Sequence, residues 1–265
     1  MNDILNLNRF WLLLKKTLLE RPAQIMGLMA AILCFTFILY AVIAYLMAYP
    51  PAQNLAFIWG LTGGGTVLAS FIFGYFNTNA GGSAYLTLPA SAFEKWLCGV
   101  LIAGVLFLAV FLGFFRLMDY GFVTAYHNSL DKSSPLYQKL YDQAYIYPFT
   151  NSNVVSKTLG MWANFAGAML LGSLYFNRVA IVKVALIVCG VLGVIYGLNL
   201  LVANLLFPNV DMAFPYAAVI LKVKSETGVL GLPHTARGIS DAFIGYFLPI
   251  TLWVTAFIRL KEKEV

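Results

Sequence analysis

QIMGLMAAILCFTFILYAVIAYLMA, residues 24–48, is a run of 25 residues without one Asp, Glu, Lys or Arg. A helix rises 1.5 Å per residue and needs roughly 20 apolar residues to cross a hydrocarbon layer of about 30 Å. The run is therefore long enough to span a bilayer. Tyr49 and the Pro50-Pro51 pair close it, because proline lacks the amide that a continuing helix would use. Five further runs of the same character follow at about 55–76, 96–117, 159–176, 182–207 and 241–258. The whole chain is 61% apolar and only 11% charged, against about 25% charged in ordinary soluble domains. These numbers exclude a water-soluble globule and predict an all-α integral membrane protein with six transmembrane helices in one domain, residues 1–265.

Outside the spans, residues 3–21 carry Ile4, Leu7, Trp11, Leu14 and Leu18 at three- and four-residue steps, with Arg9, Lys16 and Glu20 elsewhere on the wheel. That spacing predicts an amphipathic helix lying in the membrane interface, with Trp11, Lys15 and Lys16 at the lipid surface. The Asn- and Gly-rich stretch 77–83 breaks the second span. Two segments are long enough for extramembrane structure: a polar loop over 118–157, with some helix around 136–144, and a second loop over 208–240. In the latter, 217–224 and 229–232 flank Ser225-Glu226-Thr227-Gly228 and read as two strands around a turn, a short surface helix being the alternative.

The net charge of +6 is topogenic and does not point to nucleic acid, since basic residues collect at span ends. Arg9, Lys15, Lys16, Arg21, Lys95, Arg178, Lys183, Arg259, Lys261 and Lys263 fall on one side, ten of the 17. The positive-inside rule makes that side, with both termini, cytoplasmic, and the two long loops face outward. Nothing in the N-terminal stretch reads as a cleaved signal, because Lys15, Lys16, Glu20 and Arg21 interrupt its short apolar run. Cys34, Cys98 and Cys189 all fall inside apolar runs, where cysteine packs as a small hydrophobe.

Chemistry-bearing patterns are few. Asp119, Asp241, Arg116 and Lys183 sit at span ends, within reach of the interface, so no carboxylate at membrane depth nominates ion coupling. His127 and His234 fall in the loops without metal-ligand spacing, and no nucleophile has a base at a recognisable spacing. Neither a catalytic residue nor a metal or cofactor site is expected in this chain. Gly63-Gly64-Gly65 lacks the Lys-Ser/Thr ending of a phosphate loop. Gly60/Gly64 and Gly193/Gly197 form small-xxx-small pairs that allow close helix approach. Phe71, Phe73, Tyr75, Phe111 and Phe115 are at helical spacing and read as core or lipid-facing positions.

One inner segment stands out. In Leu88-Pro89-Ala90-Ser91-Ala92-Phe93-Glu94-Lys95-Trp96, Ser91 and Glu94 have the spacing of a capping box at a helix start. Leu88, Phe93 and Trp96 put an apolar surface beside it, of the kind that often marks a binding site. With this segment, its six spans, its interfacial N-terminal helix and its Arg259-to-Val265 ending, the chain resembles membrane permease subunits of type-two ABC exporters, the polysaccharide and drug exporter class, from Bacteroidetes-like bacteria.

The resemblance implies that residues 85–96 act as a coupling helix, with Leu88, Pro89, Ser91, Phe93, Glu94 and Trp96 seated on a separate ABC ATPase subunit. ATP and Mg would be bound by that partner. A second permease copy, or a related chain, would complete a pathway in the bacterial inner membrane. The other reading is a membrane scaffold or sensor whose outer loops bind a ligand or an envelope protein.

Overall fold

A computed structural model describes residues 5–20, 22–47, 49–150, 153–176, 180–207, 209–223 and 226–264. Ile4, Arg21, Ala48, Arg178, Pro208, Lys224, Ser225 and Val265, all used in the sequence reading, lie outside the described residues. In chain order the helices are α1 (Leu7–Glu20), α2 (Pro22–Leu46), α3 (Tyr49–Ile72), α4 (Asn79–Leu86), α5 (Ala92–Ser129), α6 (Tyr137–Gln143), α7 (Asn153–Tyr175), α8 (Ala180–Leu206) and α9 (His234–Glu262). Strands β1 (Val210–Phe214), β2 (Ala218–Val223) and β3 (Glu226–Gly231) lie between α8 and α9.

Among the described residues, five helices are long and apolar enough to cross a membrane: α2, α3, α5, α8 and α9. The protein is a multi-pass helical membrane protein. Expected spans one, two, three, five and six fall on these five helices. The fourth, 159–176, falls in α7, which is not among them. Within α7, Trp162, Ala166, Gly167, Met169, Leu170, Gly172, Ser173 and Leu174 are all enclosed by neighbouring elements. A helix walled in by protein needs small residues for close approach more than it needs uniform hydropathy.

Helix α7 runs parallel to α9. Gly160 lies against Gly245, Gly167 against Leu252 and Trp253, and Tyr175 beneath the Arg259 guanidinium at 4.5 Å. A Cβ on Gly167 would stand 2.7 Å from the Trp253 ring, which is why glycine occupies this crossing. Three crossing helices contain a π-helical turn, at Trp59–Gly63, Leu101–Leu106 and Phe243–Phe247. Such turns disturb the regular ladder of backbone hydrogen bonds. In α9 the Ile244 carbonyl accepts from Asn164 Nδ2 at 2.8 Å, so a half-buried polar side chain of α7 takes up a backbone acceptor at the π-helical turn.

Of the two small-residue pairs, Gly60 and Gly64 seat α2 on α3 against Thr36 and Ile32, while Gly193 and Gly197 have nothing near them. The core between α2, α3 and α5 is aromatic: Phe107, Phe111 and Phe115 stack along one face of α5, and Phe57 packs against the last two. Phe73, Tyr75, Phe111 and Phe115 are buried, and of the five only Phe71 is exposed. The four buried rings are core side chains. In a lipid-bathed bundle such packing stabilises through dispersion contacts, since lipid tails already shelter apolar surface from water.

Several boundaries differ from the sequence reading. Helix α3 starts at Tyr49, since Pro50 and Pro51 sit in its first turn, where no amide is needed. It ends at Ile72 and passes into a 3-10 turn over Gly74–Asn77. The expected break over 77–83 is largely helical, since α4 begins at Asn79, capped by the Thr78 hydroxyl accepting from the Gly81 amide. Helix α5 continues to Ser129, so the expected loop from 118 begins as helix, and α6 falls where helix was anticipated. The expected pair of strands is present, but Glu226, Thr227 and Gly228, expected in the turn, are paired in β3, and a third strand joins to give an antiparallel sheet in the order β1-β2-β3 with a bulge between Val210 and Met212. Asn199 Nδ2 donates to the Ala213 carbonyl, tying β1 to α8.

Candidate functional site

The segment singled out in the sequence is not one helix. Residues 85–96 comprise the end of α4, a turn and the first turn of α5. Pro89 and the extended Ser91 force the break: Ser91 is the N-cap, its hydroxyl accepting from the Glu94 amide at 3.2 Å while Glu94 returns a bond to the Ser91 amide at 2.9 Å. The capping box read from the sequence is therefore present.

Glu94 does more than cap. Arg9 Nε donates to its two oxygens at 3.1 and 2.8 Å, an Arg9 terminal nitrogen donates to Oε1 at 2.8 Å, and the Asn6 amide donates to Oε1 at 2.7 Å. The carboxylate is completely buried. It pins α1 across the start of α5 and presents no free oxygen to a partner protein. Residue Lys95 is buried too, its ammonium donating to the Leu86 carbonyl at 2.9 Å and to Glu264 at 2.7 Å, above the Tyr85 ring. Both described ends of the chain thus meet at this segment.

Phe93 and Trp96 are half-buried, and form an aromatic triangle with Phe257 of α9, with centroids 5.7 to 6.0 Å apart. Trp96 also donates to the Trp253 carbonyl at 3.0 Å. The apolar surface expected of Leu88, Phe93 and Trp96 is turned largely into the protein. What the segment leaves exposed is Thr87 and Pro89, with Ser83 and Ala84 of α4 just before it. On α1, Phe10, Leu13, Leu14, Thr17 and Leu18 face the bundle, whereas Leu7, Trp11, Leu12, Lys15, Lys16 and Leu19 are exposed. The predicted apolar stripe is divided between the protein interior and the exposed surface.

Around the clamp, Tyr85 stacks on Tyr75 at 4.6 Å. Burial first, then nearby Cys98, Tyr75 and Glu264, push its phenol well above the usual value. Lys263 lies over the Phe76 ring at 4.6 Å, and burial followed by the charge of Arg259 lowers its ammonium below the usual lysine value.

A second cluster closes the opposite end. Asp119 does not reach for the interface: it is fully buried, accepting from Tyr40 Oη at 2.8 Å, Gln53 Nε2 at 2.8 Å and the Tyr147 amide at 2.7 Å. One turn earlier, Arg116 donates to the Tyr147 carbonyl at 2.8 Å. Both peptide groups of Tyr147 are therefore held by charged side chains of α5. Its phenol donates to Asn54 Oδ1 at 3.1 Å, and burial, with Tyr145 and Asp119 nearby, pushes it up to about 12. His127 is helical and stacks on Tyr141 at 3.8 Å, where a solvated loop residue was expected.

Sequence reasoning missed this clamp by treating Arg9 and Lys95 as topogenic charges and giving Glu264 no role of its own. The available signal was Glu94-Lys95 itself, adjacent opposite charges directly behind an N-cap. Among the described residues no three His, Cys, Asp or Glu side chains gather as metal ligands, and Cys98 is buried with its thiol 3.8 Å from the Thr17 hydroxyl. No family model, curated protein or solved structure matches the chain.

Proposed function

We propose that the chain is the transmembrane subunit of an ABC exporter, working as a dimer in the bacterial inner membrane and driven by ATP and Mg in a separate ATPase subunit. The observation that carries the reading is the junction of α4 and α5. It is a short exposed turn tied at its base to α1 through Arg9-Glu94 and to the C-terminal end through Lys95-Glu264. A push on such a turn is delivered to α1, α5 and α9 together, which is what a subunit driven by an external motor needs.

The same reading takes six crossings. Five apolar helices and two chain ends at one end of the bundle leave the parity one short, and α7 supplies the missing crossing. It runs beside α9 from Gly160–Gly245 to Tyr175–Arg259, about 22 Å at 1.5 Å per residue. The positive-inside rule then makes the clamped end cytoplasmic, with α1 on the inner surface and Lys15 and Lys16 toward lipid headgroups.

In this reading Thr87 and Pro89 make the contact with the ATPase, and Leu88, Ser91, Phe93, Glu94 and Trp96 hold the contact in place. The test is purification of the tagged chain in mild detergent with identification of co-purifying proteins and an ATPase assay. A nucleotide-binding subunit in about equal amount, lost in Pro89→Arg while the melting midpoint stays unchanged, is the expected result. Recovery of the chain alone, or with an envelope protein and no ATPase, overturns the reading in favour of a scaffold or sensor.

A further inference from the structure

Beyond Asp119, the last turns of α5, the segment around Lys132, helix α6 and residues 144–146 line an open cavity of about 630 Å³, within the size range of small-molecule sites. Its depth follows from α5. Counting from Trp96, about 30 Å of helix reaches Arg116. Tyr120, on the cavity wall, then stands roughly 6 Å further out, in the headgroup layer. Tyr145, also on the wall, is held at the level of Asp119 because its carbonyl accepts from Gln53.

The lining has a definite chemistry. It contains one cation, Lys132, whose ammonium has no hydrogen-bond or ion-pair partner among the described residues, and one carboxylate, Asp142, held only by Gln138 at 3.3 Å. Tyr141 and Tyr145 offer exposed rings beside them. A simple anion would meet Asp142, a simple cation would meet Lys132, and a wholly apolar molecule would strand both charges. A ligand carrying both signs satisfies both, with its phosphate on Lys132 and its ammonium on Asp142 and a tyrosine face.

We infer that this cavity binds the ammonium-bearing phosphodiester headgroup of a membrane lipid at the end of the bundle opposite the termini. The inference does not depend on whether the chain exports anything. A lipid is the source because the wall begins in the headgroup layer, where a lipid's headgroup already resides.

The test is native mass spectrometry of the full chain in neutral detergent, offered phosphatidylethanolamine or phosphatidylglycerol of the same chain length. Preferential retention of phosphatidylethanolamine is expected, falling about tenfold, the loss of one charge-assisted contact, in Lys132→Ala and in Asp142→Ala. Lys139→Ala, which removes the same charge outside the cavity, should retain lipid as the parent does. Equal retention of the two lipids, or losses no larger than in Lys139→Ala, overturns the inference. Displacement of bound lipid by an equal concentration of soluble phosphoethanolamine would overturn the assignment to a membrane lipid.

Discussion

Glu94 and Lys95 are neighbours in the chain, are both buried, and bind opposite ends of the protein: Glu94 takes Arg9 of the N-terminal helix, and Lys95 takes Glu264 beyond the last helix. Two adjacent peptide units thereby fix three segments that are distant in sequence. Charges out of water are tolerated only where partners satisfy them, and here the carboxylate has four donors, and the ammonium a carboxylate and a carbonyl.

Arg9→Ala leaves the Glu94 carboxylate buried without its counter-charge. Arg9 is itself 37% exposed, so the cost falls at the low end for a broken buried pair, about 3 kcal/mol. A lowered melting midpoint in detergent and faster proteolysis within α1 are the expected outcomes. Glu94→Gln in the Arg9→Ala background should recover part of the loss, because it removes the unpaired charge. A midpoint unchanged in Arg9→Ala would show that the pair holds nothing.

Asp119→Ala strands three donors, from Tyr40, Gln53 and Tyr147, inside the bundle. Each costs about 1–3 kcal/mol unless water reaches it. Hydrogen exchange reads the local consequence directly: the Tyr147 amide should lose protection while amides of α8 keep theirs. Asp119→Asn should fall between the two, since its amide faces donors with one oxygen in place of two.

Gly167→Val should destabilise by about 1–3 kcal/mol, because the new side chain meets the Trp253 ring and Leu252 Cβ at 3.0 Å or less. The same change at Gly193, which has nothing within 4 Å, should leave the melting midpoint near the parent's. Equal effects at the two positions would argue against the α7–α9 packing.

Tyr216 adopts φ of 60° in the turn between β1 and β2, a conformation costing a residue with Cβ about 1 kcal/mol or more relative to glycine. Its side chain is exposed. Tyr216→Gly should relieve that strain and leave the three-stranded sheet at least as well protected from exchange, despite the larger chain entropy of glycine. A marked loss of protection would mean that the tyrosine ring, and not the backbone, holds the turn.

The membrane class, five crossing helices, the amphipathic start of the chain, the capping box and the β2-β3 hairpin were legible because each is a local pattern: a run of apolar residues, a helical stripe, a three-residue spacing, a turn between alternating strands. Lateral packing was not. Whether Gly60 or Gly193 faces a neighbour, whether α7 meets lipid or protein, and whether Asp119 points to water or to Tyr40 are relations between segments tens of residues apart, and no local pattern encodes them. The reading of 85–96 as one helix failed for a related reason, since the cap at Ser91 was seen but its power to divide the segment was not.

Hydrophobicity and spacing, properties of the chain alone, determined that this protein lives in a bilayer and where most of its helices begin and end. Tertiary structure decided what its few charges do. In a low-dielectric interior a charge must find a partner or remain at the surface, and the partners of Glu94, Lys95 and Asp119 come from other segments, brought within hydrogen-bond distance only when the bundle closes.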